Sequence, residues 1–151
     1  MKSLTLAILL VVMLPVVAAA QASDKDIVVE LVDKTIAMFK QKGKDETIKA
    51  LNSPSGPLRK GALYAFAVTF KGQMLSHPVQ DDLRGKDTWE LQDAKGKFII
   101  QEFVKIAKDQ GHGWSDYLWI RVGQTEPTMK RTYIKRVPGE DILVGAGYYI
   151  Q

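Results

Sequence analysis

The stretch that decides the fold is "ALYAFAVTFKGQMLSHP", residues 62–78. Its large and small side chains alternate, with Tyr64, Phe66, Val68 and Phe70 set against Ala65, Ala67 and Thr69. An alternation with a period of two is typical of a β-strand that presents different residues to its two faces. The stretch therefore predicts a strand with one face of large side chains and one face of small ones.

A turn inside the same stretch predicts a hairpin. Lys71 and Gly72 form a plausible two-residue turn, so the residues after them should return as the partner strand. Counting outward from this turn gives three cross-strand pairs: Phe70 with Gln73, Val68 with Leu75, and Phe66 with His77. The hairpin therefore places His77 next to Phe66, on the face of large residues.

Helices are predicted on both sides of the hairpin. Residues 24–42 carry Val28, Leu31, Val32, Ile36 and Phe39 at helical spacing, before Gly43. A second short helix should begin at Asp45 or Glu46 and stop before the "NSPSGP" loop. After the hairpin, residues 93–111 contain an apolar stripe that predicts another helix, ended by Gly111.

The last third of the chain predicts a meander of three strands, "WSDYLWIRV", "MKRTYIKRV" and "DILVGAGYYI". The predicted strands and helices do not follow one another in βαβ order along the chain, so the predicted fold class is α+β. We expect a long N-terminal helix packed on a roughly five-stranded antiparallel sheet.

The N-terminus predicts export. Lys2 precedes an apolar run that is broken by Pro15 and ends in small residues, which is typical of a secretory signal peptide. Cleavage after Ala22 would leave a single domain, residues 23–151, in the periplasm or outside the cell. An uncleaved membrane anchor is the alternative.

Composition excludes several functional classes. The chain has no cysteine, so it offers neither a disulfide framework nor a thiolate metal site. The net charge of +4 is spread among interspersed acids and bases, which does not indicate a nucleic-acid partner. Only His77 and His112 could supply imidazole, a weak basis for a metal site, and we expect neither a metal nor a cofactor.

Aromatic and cationic side chains share one face of the predicted meander. A six-residue loop, residues 123–128, would pair Arg121 with Lys130 and place Tyr117 and Trp119 on the same face. Burying an unpaired ammonium group is costly, and a small carboxylate is its natural complement. The alternative is that Arg121 and Lys130 extend from a solvent-facing sheet while the rings cover it.

Several short motifs resemble one known family in their order and spacing. They are the "HP" at His77, L-x-GK at Leu83 to Lys86, D-x-x-GK at Asp93 to Lys97, G-x-GW at Gly111 to Trp114, Y-x-W at Tyr117 to Trp119, K-x-x-Y at Lys130 to Tyr133, and G-x-GYY at Gly145 to Tyr149. Together they resemble the single Cache domain, of the subtype found at the extracellular end of bacterial chemoreceptors and sensor kinases. The resemblance covers nearly all of residues 23–151.

The resemblance implies a PAS-like sheet whose pocket binds short monocarboxylates such as acetate, propionate, lactate or pyruvate. It places His77, Tyr117, Trp119 and Lys130 at pocket positions, with Tyr64 and Phe66 as walls. Arg121 is added from strand parity alone.

The resemblance also bears on partners. Family members usually continue into a transmembrane helix and a signalling module, whereas this chain ends at Gln151. We therefore expect a free-standing form that presents its ligand to a separate membrane receptor or sensor kinase.

Two other functions remain open at this point. One is a protein-interaction module whose N-terminal helix, residues 24–42, pairs with a copy of itself or with a membrane receptor, and whose pocket is vestigial or empty. The other is an enzyme with His77 as general base, but the sequence supplies no orienting partner for that base, so we expect no catalysis.

Overall fold

The fold is that of a computed structural model, which describes residues 22–150. Except for Ala22, the predicted signal peptide lies outside the described residues. Among residues 22–150, none of the helices combines the length and the apolar character needed to cross a bilayer.

The chain begins with a long helix, α1 (Asp24–Asn52), that bends at Gly43. Ser23 caps its start: the Asp26 backbone N–H donates to Ser23 Oγ, and the Ser23 backbone N–H donates to the Asp26 carboxylate, each over 3.3 Å. Gly43 has φ of +79°, a conformation that other residues rarely adopt. The bend thus lies where the sequence predicts one helix to end and the next to begin.

Six strands form one antiparallel sheet. They are β1 (Arg59–Lys60), β2 (Leu63–Thr69), β3 (Met74–Ser76), β4 (His112–Ile120), β5 (Pro127–Arg136) and β6 (Ile142–Tyr149). The order is β1-β2-β6-β5-β4, and β3 pairs with the same edge of β2 as β1. This confirms the α+β prediction, with the two-residue β1 as an additional strand.

Helix α1 covers one face of the sheet. Its buried side chains, among them Val28, Val32 and Phe39, pack on small residues of the central strands. Ala65 and Ala67 of β2 and Ala146 of β6 supply this flat surface, as the alternation in β2 predicts. The face is therefore a conventional apolar core.

The opposite face carries the large residues and is covered by α2 (Ile99–Asp109) and the segment 77–98. Phe103 of α2 contacts Phe66 of β2 and Tyr117 of β4, with ring centroids 6.0 and 5.4 Å apart. The sequence predicted a helix within residues 93–111. Residues 93–97 instead form a turn in which the Asp93 carboxylate accepts the backbone N–H groups of Lys95 and Lys97.

The first hairpin differs from its predicted register. The Gly72 N–H donates to the Thr69 carbonyl over 2.9 Å, and Gly72 has φ of +86°, so the loop has three residues instead of two. Val68 therefore opposes Met74, and the predicted pairing of Val68 with Leu75 is wrong. A β-bulge between Val68 and Ala67 then restores the predicted register, because Ala67 opposes Ser76. His77 consequently lies beside Phe66, as predicted.

The second hairpin is also shifted. Lys130 opposes Tyr117, so the predicted pairing of Lys130 with Arg121 is wrong. The turn starts earlier than predicted because the Gln124 N–H donates to the Arg121 carbonyl over 2.9 Å and Gly123 takes φ of +79°. The shift is an even number of residues, so the side chains of β4 and β5 keep their predicted faces, whereas Arg121 lies beyond the end of β4.

Candidate ligand pocket

Two cavities share Lys130 in their linings: an inner one beneath α2, and an outer one whose lining extends to Asp24 at the start of α1. The inner cavity has a volume of about 20 Å³ and is lined by Phe66, Met74, His77, Leu83, Leu91, Ile99, Ile100, Phe103, Tyr117, Trp119 and Lys130. The outer cavity has about 470 Å³. Its walls include Tyr64, Arg121 and Tyr149. Each of the seven predicted site residues therefore contacts at least one of the two cavities.

Lys130 is a buried cation. Its side chain projects from the middle of the sheet on β5, and the residue is 2% exposed. The ammonium Nζ donates to the Tyr64 hydroxyl over 3.2 Å and lies 4.8 Å from the centroid of the Tyr64 ring and 5.4 Å from that of Tyr149. Cation–π contacts of this kind partly replace hydration.

Lys130 has no carboxylate partner in residues 22–150, where the six ion pairs involve other residues. Burial lowers the pKa of Lys130 to about 8, because the charged form loses its water. The amine is thus still mostly protonated at neutral pH. It presents an uncompensated positive charge to both cavities.

His77 is held as a neutral donor. Burial, with smaller contributions from the charges of Lys130 and Arg84, lowers its pKa to about 3. Its Nδ1 accepts the backbone N–H of Gln80 over 3.0 Å, so the single proton of the neutral ring belongs on Nε2. The ring stacks on Phe66 with centroids 6.0 Å apart, which fixes its orientation.

Tyr117 and Trp119 line the β4 side of the inner cavity. The Tyr117 hydroxyl lies 3.0 Å from Thr132 Oγ1, and burial raises the pKa of Tyr117, which keeps the phenol protonated. The Trp119 ring meets Tyr117 edge to face, with centroids 6.0 Å apart. These side chains supply a hydrogen-bonding group and an apolar wall.

The β4 edge is held in place by the turn at residues 93–97. The backbone N–H of Leu118 donates to Asp93 Oδ2 over 3.1 Å, and Lys97 Nζ donates to the carbonyl of Asp116 over 2.5 Å. These two bonds occupy outward-facing groups of an edge strand. They fix the backbone on both sides of Tyr117.

Two glycines of β6 make room for the pocket. A Cβ at Gly147 would lie 2.9 Å from Lys130 Cε, and a Cβ at Gly145 would lie 2.9 Å from a ring carbon of Phe66. Real Cβ atoms do not approach other heavy atoms so closely. A side chain at either position would displace Phe66 or Lys130, so the two glycines leave room for these pocket residues.

Sequence reasoning missed Tyr149 as a pocket residue. It lies directly opposite Lys130 on β6, its hydroxyl donates to the Ile120 carbonyl over 3.3 Å, and the guanidinium of Arg121 lies 4.4 Å from its ring centroid. Its position in the closing G-x-GYY motif was the available signal. Met74 and the α2 residues Ile99, Ile100 and Phe103 were also missed, although the apolar stripe of α2 indicated that this helix faces the sheet.

Comparison with protein families gives one match over most of the chain. The family model described as "Cache domain" (dCache_2) matches residues 18–151. Among curated proteins, the methyl-accepting chemotaxis protein McpP of Pseudomonas putida (strain KT2440) is 30% identical over 78 residues, which is 52% of this chain. The chain spans 14% of the length of that relative.

Solved structures give matches of similar extent. A periplasmic sensor domain of a chemotaxis protein is 28% identical, with a TM-score of 0.66 over 81% of this chain and 87% of that one. A structure described as "Structural basis for carboxylic acid recognition by a Cache chemosensory domain" is 21% identical, with a TM-score of 0.66 over 81% of this chain and 85% of that one. The second likeness, at this identity, concerns the fold.

Proposed function

Since this chain belongs to the Cache domain family of ligand-binding sensor domains, we propose that it is an exported single Cache domain that binds a short organic anion, such as a C2–C3 monocarboxylate, without chemically changing it. The observation that carries this proposal is the charge of Lys130. This buried ammonium lies where two cavities meet and has no carboxylate partner in the part of the chain that the structure describes.

The charge of Lys130 favours an anionic ligand. A buried unpaired charge is costly, and a ligand carboxylate would offset that cost through Coulomb attraction and a charge-assisted hydrogen bond. His77 Nε2–H and the hydroxyls of Tyr64 and Tyr117 are polar groups at the same cavities. The solved Cache chemosensory domain described as recognising carboxylic acid has the same fold, and the preference for a carboxylate here rests on Lys130.

The size of the cavities favours a small ligand and a shallow position. The inner cavity, about 20 Å³, has room for little more than a water-sized group. A carboxylate would therefore bind at Lys130, where the cavities meet, and a short alkyl group would extend into the outer cavity. A ligand of about six heavy atoms that contributes at most about 1.5 kcal/mol per atom would bind with a dissociation constant no lower than about 0.3 µM.

Catalysis is not supported by the state of His77. A general base works best with a pKa near the working pH, whereas that of His77 is lowered to about 3. Its Nδ1 also accepts a backbone N–H instead of donating to an orienting carboxylate. We propose binding alone, and NMR spectra of bound pyruvate and lactate that show no new product over a day would support this.

Calorimetry with matched ligands tests the proposal. Acetate, propionate, lactate and pyruvate are titrated into the wild-type protein, with propionamide as a neutral compound of nearly the same shape as propionate. We expect at least one of the acids to bind and propionamide to bind at least tenfold more weakly. Failure of all four acids to bind, or equal binding of propionate and propionamide, would contradict the proposal.

Export and partners belong to the same proposal. The periplasmic sensor domain among the similar structures fits a location outside the cytoplasm, with residues 1–22 as a cleaved signal peptide. We propose that the domain presents its ligand to a separate membrane receptor or sensor kinase, and that α1 is the surface for a homodimer. Light scattering with and without propionate tests the dimer, and N-terminal sequencing of the exported protein tests the cleavage.

A further inference from the structure

The outer cavity gathers the arginines that lack acidic partners. Of the five arginines, Arg84, Arg131 and Arg136 form ion pairs with nearby aspartates. The other two, Arg59 and Arg121, have no carboxylate within ion-pair distance among residues 22–150, and both line the outer cavity. With Lys130, they give this cavity three cations.

The acidic content of the cavity does not balance this charge. Asp24, at the start of α1, is the one acid in its lining. Arg59 donates to the carbonyls of Pro54 and Gly61, over 3.0 and 3.4 Å, which leaves its positive charge uncompensated. The outer cavity therefore has a net positive lining that an anion would neutralise.

Arg121 is poised for an acceptor that the protein does not provide. Its Nε is buried yet makes no hydrogen bond within the described part of the chain. Its guanidinium is held 4.4 Å from the centroid of the Tyr149 ring, and the hydrogen bond from Tyr149 to the Ile120 carbonyl fixes that ring. A buried donor without a partner is unusual in folded proteins, and Arg121 also has no carboxylate partner among residues 22–150, so its positive charge is available to a ligand in the outer cavity.

The geometry points to a second anion subsite at Arg121, and we propose that the protein binds a short dicarboxylate with one carboxylate at Lys130 and the other at Arg121. This inference rests on the proposed binding of a carboxylate at Lys130. It extends the ligand class from monocarboxylates to compounds with two acidic groups.

The dimensions suit such a ligand. Lys130 Nζ and the Arg121 guanidinium lie 5.4 and 4.4 Å from the centroid of the same Tyr149 ring, so the two cationic centres are less than about 10 Å apart. With a charge-assisted hydrogen bond of about 2.8 Å at each end, succinate or glutarate can span the remaining distance. The volume of about 470 Å³ lies within the usual range of small-molecule sites, roughly 300–1,000 Å³.

The test compares one dicarboxylate and one monocarboxylate on three proteins. Succinate and propionate are titrated calorimetrically into wild type, Arg121→Ala and Lys60→Ala. Lys60 is an exposed cation of β1 that lines neither cavity, so its variant controls for the loss of one positive charge. We expect Arg121→Ala to weaken succinate at least tenfold and propionate less than twofold, and Lys60→Ala to leave both within twofold.

The outcomes separate this inference from the function on which it rests. If wild type binds propionate but not succinate, or if Arg121→Ala weakens both acids equally, the second subsite is overturned and the carboxylate site at Lys130 stands. If wild type binds neither succinate nor any of acetate, propionate, lactate and pyruvate, both proposals fail. Circular dichroism and thermal unfolding confirm that each variant is folded, and Arg121→Gln replaces Arg121→Ala if the alanine variant is not.

Discussion

The two faces of the sheet bury different kinds of residues, although the same strands supply both. Under α1, the buried surface consists of small apolar side chains such as Ala65 and Ala67, packed on Val32 and Phe39. Under α2, the surface is built from aromatic rings and also encloses His77 and Lys130. Successive residues of a strand point to opposite faces of the sheet, so neighbours in the sequence contribute to different surfaces.

This difference indicates a division of roles. The α1 face contributes apolar burial without any charge, so it stabilises the fold in every state of the protein. The α2 face buries a cation at a cost in stability, which is the condition for a strong interaction with an anion. Substitutions on the two faces should therefore affect stability and binding in different ways.

The largest expected effect comes from the α1 face. Phe39→Ala should lower the free energy of unfolding by about 3–5 kcal/mol, because it removes a side chain that is 7% exposed and leaves a cavity. Urea unfolding measures this. Phe98→Ala, at a phenylalanine that is 40% exposed, is the control and should cost less than about 1 kcal/mol. A loss of propionate affinity in folded Phe39→Ala would contradict the division of roles, in which the α1 face affects stability and the α2 face affects binding.

Lys130→Met should have opposite effects on binding and on stability. Loss of the ammonium should weaken propionate at least 100-fold, and the unliganded protein should gain about 2 kcal/mol, because a buried cation is replaced by an apolar side chain of similar length. Calorimetry and urea unfolding measure the two quantities. A destabilised Lys130→Met protein would mean that the fold already compensates the cation. This would contradict the cost in stability that we assign to the α2 face.

The pH dependence of binding should follow Lys130 alone. Above pH 8 the amine of the free protein is mostly neutral and must take up a proton to bind an anion, so the affinity for propionate should fall about tenfold per pH unit. Between pH 6 and 7.5 the affinity should be constant, because His77, with a pKa of about 3, stays neutral there. Calorimetry from pH 6 to 9.5 tests this, and a change in affinity near pH 6.5 would assign a titrating role to His77.

The smallest effect concerns the hydroxyl of Tyr117. Tyr117→Phe should cost about 1 kcal/mol of stability, because the buried Thr132 Oγ1 loses its 3.0 Å partner. Thr132→Val in the same background removes the orphaned hydroxyl and should recover part of that loss. Thermal unfolding of the single and double variants measures the coupling. Purely additive costs would show that the two hydroxyls are independent.

Strand parity could be predicted from the sequence, whereas register could not. The face of each side chain follows from a period of two, which explains why Tyr117, Trp119 and Lys130 line one cavity as predicted. Register depends on how each turn closes: Gly72 and Gly123 adopt positive φ and moved both turns from their predicted positions. The β-bulge between Val68 and Ala67 has no signal in the alternation.

The composition of the pocket could be predicted only in part. Tyr149 was missed because its side chain extends from β6 across β5 to the Ile120 carbonyl of β4. A contact between strands that are not neighbours cannot be predicted from a local sequence pattern. The narrow inner cavity and the wide outer one could not be predicted either, because the inner one depends on how α2 and residues 77–98 pack over the sheet, and the outer one depends on how the start of α1 and the turn after β4 come together. The buried position of Lys130 contradicts the alternative in which its side chain extends into solvent, while the carboxylate at Lys130 stays a prediction.

The bare backbone at Gly145 and Gly147 has a consequence for how ligand preference could change. An added methyl group at Gly145 would meet the Phe66 ring, and one at Gly147 would meet Thr132 Oγ1 and Lys130 Cε. Either substitution would move a side chain of the binding chamber, and at Gly147 that side chain carries the charge. A single substitution on β6 could therefore alter the shape and the electrostatics of the chamber together, so the two traits are coupled.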